Sequence, residues 1–272
     1  MTSLPLPDSL AAIGLLDEAD ISLDESALVL AAADRQRPDL GRARALLAGF
    51  AQRLGALADG AAGTAARAEA LVTLLAQEEG FSGDNLTYDA PENADFLALL
   101  RRRRGLPVTL AILYVGLARR VGWSAVPVAL PGHVIVRLGG AADSVLLDPF
   151  AGGRTLGAAG VEMLIARALG RHARPEARHL EPMSNRDTLV RLLSNQAVRA
   201  RKAGDLPRAR ILAERLTLIA PAAAELWWER ARLEQLAGDK AAARRSLSSM
   251  RETTRDPAVL KRIRAAEDAL AR

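Results

Sequence analysis

Arg101–Phe150 reads RRRRGLPVTLAILYVGLARRVGWSAVPVALPGHVIVRLGGAADSVLLDPF, and its reading decides the fold. Pro107 suits the first turn of a helix, because proline lacks only an amide hydrogen that has no partner there. The apolar run that follows predicts a helix to about Val121, closed by Gly122. SAVPVAL and HVIVRL are short β-rich runs joined by the Pro131-Gly132 turn, and SVLLDPF is a third strand after Gly139-Gly140. Gly152-Gly153 is read as the end of the β region. The segment is therefore a helix, a strand carrying one histidine, and a strand ending in Asp-Pro. The whole 272-residue chain contains no cysteine, which excludes disulfides, thiolate metal sites and a cysteine nucleophile together.

Outward from this segment the chain is helical on both sides. Before residue 80, Ser22 is the expected cap of a helix through LDESALVLAAADR. Two more helices are expected, over the stretch ending at Gly60 and over Thr64–Glu79. FSGDNLTYDAPENADF is punctuated like a loop, and Asn93 or Asp95 can cap a short helix through Leu100. After about residue 185 the pattern is wholly helical. Ala203-Gly204-Asp205 recurs 34 residues on as Ala237-Gly238-Asp239, with Ala209 and Arg210 matched by Ala243 and Arg244. Thirty-four residues is the tetratricopeptide period, and the rival reading is an ordinary pair of helical hairpins. Two units or fewer are too few for a free-standing solenoid. The expected fold class is α+β and mostly helical, with a core helix on a small antiparallel sheet and an all-α tail. The expected divisions are an N-terminal helical part at 1–80, the α+β core at 81–184 and the tail at 185–272.

Composition narrows the function classes. Half the residues are hydrophobic and a quarter charged, as in a globular chain. The formal charge of +5 is carried almost wholly by arginine, since the lysines are Lys202, Lys240 and Lys261. Acids interleave with these arginines, so we expect no nucleic-acid partner. The N-terminus lacks the basic start of a secretory signal, and the longest apolar stretch, Leu106–Ala118, is too short to span a bilayer. A cytoplasmic protein with no membrane partner is expected. His172 and His179 sit in a polar linker at a spacing that is no metal motif, and no metal or cofactor is expected.

EEGFSGDNLTYDAPENADFLALLRRRRGLPVTLAILYVGLARRVG, LPGHVIVRL and LLDPFAGG together resemble the SirB-one family of transglutaminase-like bacterial proteins. The resemblance rests on Arg103–Pro107, Pro131-Gly132-His133 and Asp148-Pro149-Phe150, and implies a transglutaminase-like, papain-like core followed by tetratricopeptide-type helices. In that superfamily a cysteine sits near the start of the core helix, where the helix dipole and free amides stabilise a thiolate and an oxyanion. The resemblance places that position at Pro107, Val108 and Thr109. It also implies that His133 is the proton acceptor and Asp148 the acid that fixes its tautomer.

Each site residue has two readings. Thr109 is a candidate nucleophile, or a first-turn threonine bonding a local backbone group. His133 is a site histidine or a satisfied structural one, and Asp148 its partner or a loop cap. Asn85, Asp89, Arg103 and Arg104 are the candidate binding residues. At least one of Arg103 and Arg104 is expected to pair with an acid such as Asp89 or Glu92 and brace the loop between Asn85 and Asn93. The expected function is that of a pseudoenzyme binding a peptide or protein partner. The rivals are an amide hydrolase or transferase using Thr109 or a His133-activated water, and an adaptor acting through the tail alone.

Overall fold

The structure is a computed structural model that describes residues 6–36, 38–60, 62–140 and 142–271. It divides into two compact units, Asp20–Leu189 and Val190 onward together with the N-terminal segment up to Ala19.

In the first unit, α2 (Leu23–Ala32), α3 (Leu40–Leu57) and α4 (Gly63–Val72) precede the core, and α4 runs on as a π-helical stretch over Thr73–Glu78. Ser22 is the residue before α2, but its hydroxyl donates to Asp24 Oδ1 at 3.0 Å and caps no backbone amide. A charged carboxylate two residues on outcompetes the helix amides for that hydroxyl. α5 (Phe96–Arg102) is capped by Asp95, which accepts from the Ala98 amide at 2.7 Å. α6 (Pro107–Arg120) is the core helix, and it is buried on all sides from Pro107 to Ala118. A helix apolar all round has no solvent face and must lie at the centre of its domain. It packs on the sheet on one side and on α2 and α3 on others. Gly116 permits the approach of α2, since a Cβ there would stand 2.7 Å from Asp24 Cβ. Asp24 is paired with Arg120 at 2.5 Å.

The sheet is four-stranded and antiparallel, in the order β3 (Ala125–Leu130), β4 (His133–Gly139), β5 (Ser144–Asp148), β6 (Arg154–Leu156). Val128, Leu130, Ile135 and Leu156 pack against Val161 and Ile165 of α7 (Ala158–Leu169), while α6 meets β3 and β4. The α+β class and the helix on a small antiparallel sheet are as expected. Two details differ. β6 follows the Gly152-Gly153 pair, which turns the chain rather than ending the sheet; both glycines take positive φ, 68° and 77°. A two-residue parallel pairing also joins β1 (Ser82–Gly83) to β2 (Arg104–Gly105), tying the loop-like segment to the chain before α6.

The second unit contains α1 (Leu6–Leu15), α9 (Leu206–Ile219), α10 (Ala224–Leu236), α11 (Lys240–Glu252) and α12 (Pro257–Ala271); α8 (Asn185–Lys202) crosses the division. α1 thus falls in a different compact unit from α2, α3 and α4. α1 packs on α9, where Gly14 lies directly against the Leu218 carbonyl, an approach no larger residue allows. The 34-residue spacing (205 to 239) recurs in the helix starts. Asp205 caps α9 by accepting from the Arg208 amide at 3.0 Å, and Asp239 caps α11 by accepting from the Ala242 amide at 2.9 Å. Gly204 and Gly238 take positive φ in the two turns, and Ala209 and Ala243 are both fully buried. Among the described residues no helix is long and apolar enough to cross a membrane.

Candidate functional site

His133 opens β4 directly after Gly132, whose φ of 69° turns the chain out of β3. Asp148 closes β5. The antiparallel pairing of β4 with β5, Val136 against Leu147, sets the start of β4 at His133 beside the end of β5 that leads to Phe150. The rings of these two residues meet edge to face, with centroids 5.9 Å apart. His133 Nε2 lies 2.9 Å from Asp148 Oδ1. A carboxylate can only accept, so the imidazole donates through Nε2, and a neutral His133 carries its basic lone pair on Nδ1. The same Oδ1 accepts from the Phe150 and Ala151 amides at 3.1 and 3.3 Å. Asp148 thus serves both of its readings at once: it orients the histidine and caps the turn Pro149–Ala151. It is 3% exposed, so the pair is sheltered from solvent competition.

Thr109 is elsewhere engaged. It is fully buried, and its hydroxyl donates to the Asn93 carbonyl at 2.8 Å. In this arrangement the Thr109 hydroxyl is sealed in the core and committed to a backbone carbonyl, which is the local, structural reading of this residue rather than the nucleophilic one.

The Asn93 it holds is the hub of a brace. The Asn93 amide donates to the Thr87 and Tyr88 carbonyls at 2.6 and 3.3 Å, and its Oδ1 accepts from Arg102 at 3.0 Å. Arg102 also reaches Asp84 at 3.3 Å. Asp84 accepts from the Thr87 hydroxyl at 2.6 Å and from the Thr87 and Leu86 amides at 2.8 and 3.1 Å. The arginine that braces this loop is thus Arg102, outside the expected pair Arg103 and Arg104, and the acid it reaches is Asp84. The arginine run is not one helix face: α5 stops at Arg102, Arg103 takes a φ of 60°, and Arg104 lies in β2.

Arg103 and Arg104 both bind groups of the chain itself. Arg103 pairs with Glu79 at 2.9 Å and stacks over Phe81 and Phe50. Arg104 donates to the Gly80 carbonyl at 2.7 Å. Asn85 and Asp89 are exposed on the loop. The braced loop also presents Leu86, 97% exposed, and Tyr88, whose ring meets Phe150 edge to face at 5.9 Å. Tyr88, Phe150 and His133 so form an aromatic path from the surface to the His–Asp pair. Gly83 permits it, since a Cβ there would stand 2.5 Å from the Phe150 ring.

Asp84, Thr87, Tyr88, Asn93, Arg102 and Phe150 were not singled out as site residues. The one local signal was Asp84 with Thr87 three positions on, a spacing at which an aspartate accepts from the following backbone and hydroxyl. Tyr114 of α6 was missed as well. Its hydroxyl is buried beneath Gly153, with no hydrogen-bond partner among the described residues. Burial, and then the Asp148 charge, push its phenol well above the usual range.

The Thr87 hydroxyl, then the Thr87 amide, hold the Asp84 carboxyl down at about 2, against an ordinary 3.8. A folded-state value below the unfolded one stabilises above the ordinary value and loses that contribution as pH falls toward about 2. Asp84→Asn is therefore expected to cost about 1–3 kcal/mol at neutral pH, since it removes an acceptor for several donors. In chemical denaturation, the stability gap between wild type and variant should narrow across that acid window. A gap that is constant with pH would show that the carboxylate charge has no part in the brace.

A family model of the transglutaminase-like superfamily matches residues 41–194, more than half of the chain. The chain belongs to that superfamily. A UPF0162 protein of Xylella fastidiosa (strain 9a5c) is 29% identical over 90% of this chain and 87% of its own length. UPF0162 protein PA3419 of Pseudomonas aeruginosa is 33% identical over 68% of this chain and 67% of its own. F-box only protein 21 of Homo sapiens is 30% identical over 82 residues, which are 30% of this chain and 13% of that protein.

Proposed function

We propose that this chain is a non-catalytic, SirB-one-type member of the superfamily that binds a peptide or protein segment beside His133. In this reading the helices after residue 185 are of tetratricopeptide type, and the setting is cytoplasmic, which the cysteine-free composition suits. One observation carries the reading. Thr109, at the position where the resemblance places the nucleophile, is sealed in the core and bonded to Asn93, while the His133–Asp148 pair is kept at 2.9 Å. The shelf of exposed Leu86 and Tyr88 leading to Phe150 supports a ligand with apolar side chains, since such rings give contact area at low entropic cost.

The test is a titration of 15N-labelled chain with extended glutamine- and leucine-containing peptides. Shifts are expected at Tyr88, His133 and Phe150, and His133→Ala should weaken binding by about tenfold. Shifts confined to residues after 190 would overturn the reading in favour of the tail. The second reading, a water activated by His133, is favoured by the same pair, because a carboxylate-oriented imidazole is a competent general base. It differs in requiring turnover.

A further inference from the structure

A cleft that includes none of His133, Asp148, Phe150 and Tyr88 lies between the first turns of α3 and helix α5 and has a volume of about 720 Å³. That is within the range of ligand-binding sites. Its floor is apolar: Ala43 and Leu46 come from α3, and Leu97 and Leu100 from α5. Its rim holds Arg35, Arg42, Arg101 and Arg103 against a single carboxylate, Asp39. That carboxylate is already used, accepting from the Arg42 amide at 2.9 Å as the cap of α3.

The four arginines are not alike. Arg35 is tied to Asp95 at 2.8 Å and Arg103 to Glu79 at 2.9 Å. Arg42 and Arg101 are exposed and form no side-chain hydrogen bond or ion pair with a described residue. Asp39 is the one carboxylate facing them among the lining residues, and with Arg35 and Arg103 offset by Asp95 and Glu79 the described mouth of the cleft keeps a net positive charge. A guanidinium is weakly hydrated and offers a donor fork that matches carboxylates.

We infer that this cleft is a docking site for an acidic peptide segment that lays apolar side chains on Leu46, Leu97 and Leu100 and sets its carboxylates against Arg42 and Arg101. Charge complementarity selects the acid. The cleft is open rather than enclosed, which selects a peptide over an acyl chain, since the latter needs an enclosed apolar tube to hide its length. Two helices flanking an apolar floor suit an amphipathic helix, read by side chains one turn apart. Because Arg42 and Arg101 are spread around the mouth, several carboxylates along a peptide answer them better than one headgroup does.

The probe is a fluorescein-labelled helical peptide of roughly three turns, with leucines one turn apart and glutamates elsewhere, added to the full chain and followed by anisotropy. Wild type is expected to bind it. Replacing the glutamates by glutamines, or raising salt to about 0.5 M, should weaken binding about tenfold or more. The Arg42→Glu/Arg101→Glu double variant, altered only at exposed positions, should lose the acidic peptide and gain the lysine counterpart. His133→Ala should bind the acidic peptide as wild type does, which separates this site from the one proposed above. Absence of binding, equal binding by the double variant, or equal binding of the glutamine peptide overturns the inference. So does capture of the chain by phosphatidylglycerol vesicles with no peptide binding, which would assign the cleft to a lipid surface.

Discussion

Asn93→Ala is expected to lower the unfolding free energy by about 2–3 kcal/mol, because it removes three hydrogen bonds made by one fully buried side chain at the hub of a network. Asn93 is fully buried. Its amide holds the Thr87 and Tyr88 carbonyls, and its Oδ1 receives Arg102. Alanine supplies none of these groups. The Asn93 carbonyl, which accepts from Thr109 and from the Leu106 amide at 2.9 Å, is main chain and stays. The loss should therefore concentrate on the outer loop. Urea denaturation reads the global cost, and hydrogen exchange should show faster opening over residues 84–92 than in α6. A variant with the wild-type midpoint and unchanged exchange would mean that the loop is held by something other than this brace.

Gly83→Ala is expected to cost about 2–3 kcal/mol, at the upper end of what inserting a methyl into a packed site costs. The φ of Gly83 is not positive, so the cost is contact and not backbone strain. The new Cβ would stand 2.5 Å from three carbons of the Phe150 ring. The backbone cannot easily recede, since β1 is paired with β2 and the Asp84 amide donates to the Gly105 carbonyl at 3.3 Å. Phe150 must move instead, and its edge-to-face contacts with His133 and Tyr88 go with it. Thermal unfolding, with the ring signals of His133 and Tyr88 followed by NMR, checks both parts. Unshifted ring signals in a fully stable variant would show that the Phe150 ring does not rest on Gly83.

These two positions also mark where sequence reading stops. α6 was legible because an unbroken apolar run behind Pro107 has one physical solution, a central helix. β3, β4 and β5 were legible because Pro-Gly and Gly-Gly punctuate β-rich runs. Asp95 was legible because a cap acts within three residues. The His133–Asp148 pair came from family resemblance; its placement then follows from the hairpin register.

What escaped was long in range or short in extent. The pairing of Ser82–Gly83 with Arg104–Gly105 has two residues to a strand and so no periodicity to read. β6 is three residues behind two glycines. Thr109 and its carbonyl partner are sixteen positions apart, and Arg102 and Asp84 eighteen. Only the folded backbone makes such partners neighbours. The grouping of α1 with α9 has the same origin, since the contact at Gly14 is with a carbonyl some two hundred residues on.

The most direct test of the central claim is turnover. Wild type, Thr109→Val and His133→Ala are incubated with a glutamine-containing peptide and a primary amine, and ammonia release, amine incorporation and intact protein mass are followed together. No ammonia, no transfer and no acyl adduct above the buffer rate is the expected result for all three, because Thr109 is sealed against Asn93 and the chain holds no thiol. Turnover by wild type that His133→Ala abolishes would contradict it, and would make His133 and Asp148 the working parts of an enzyme.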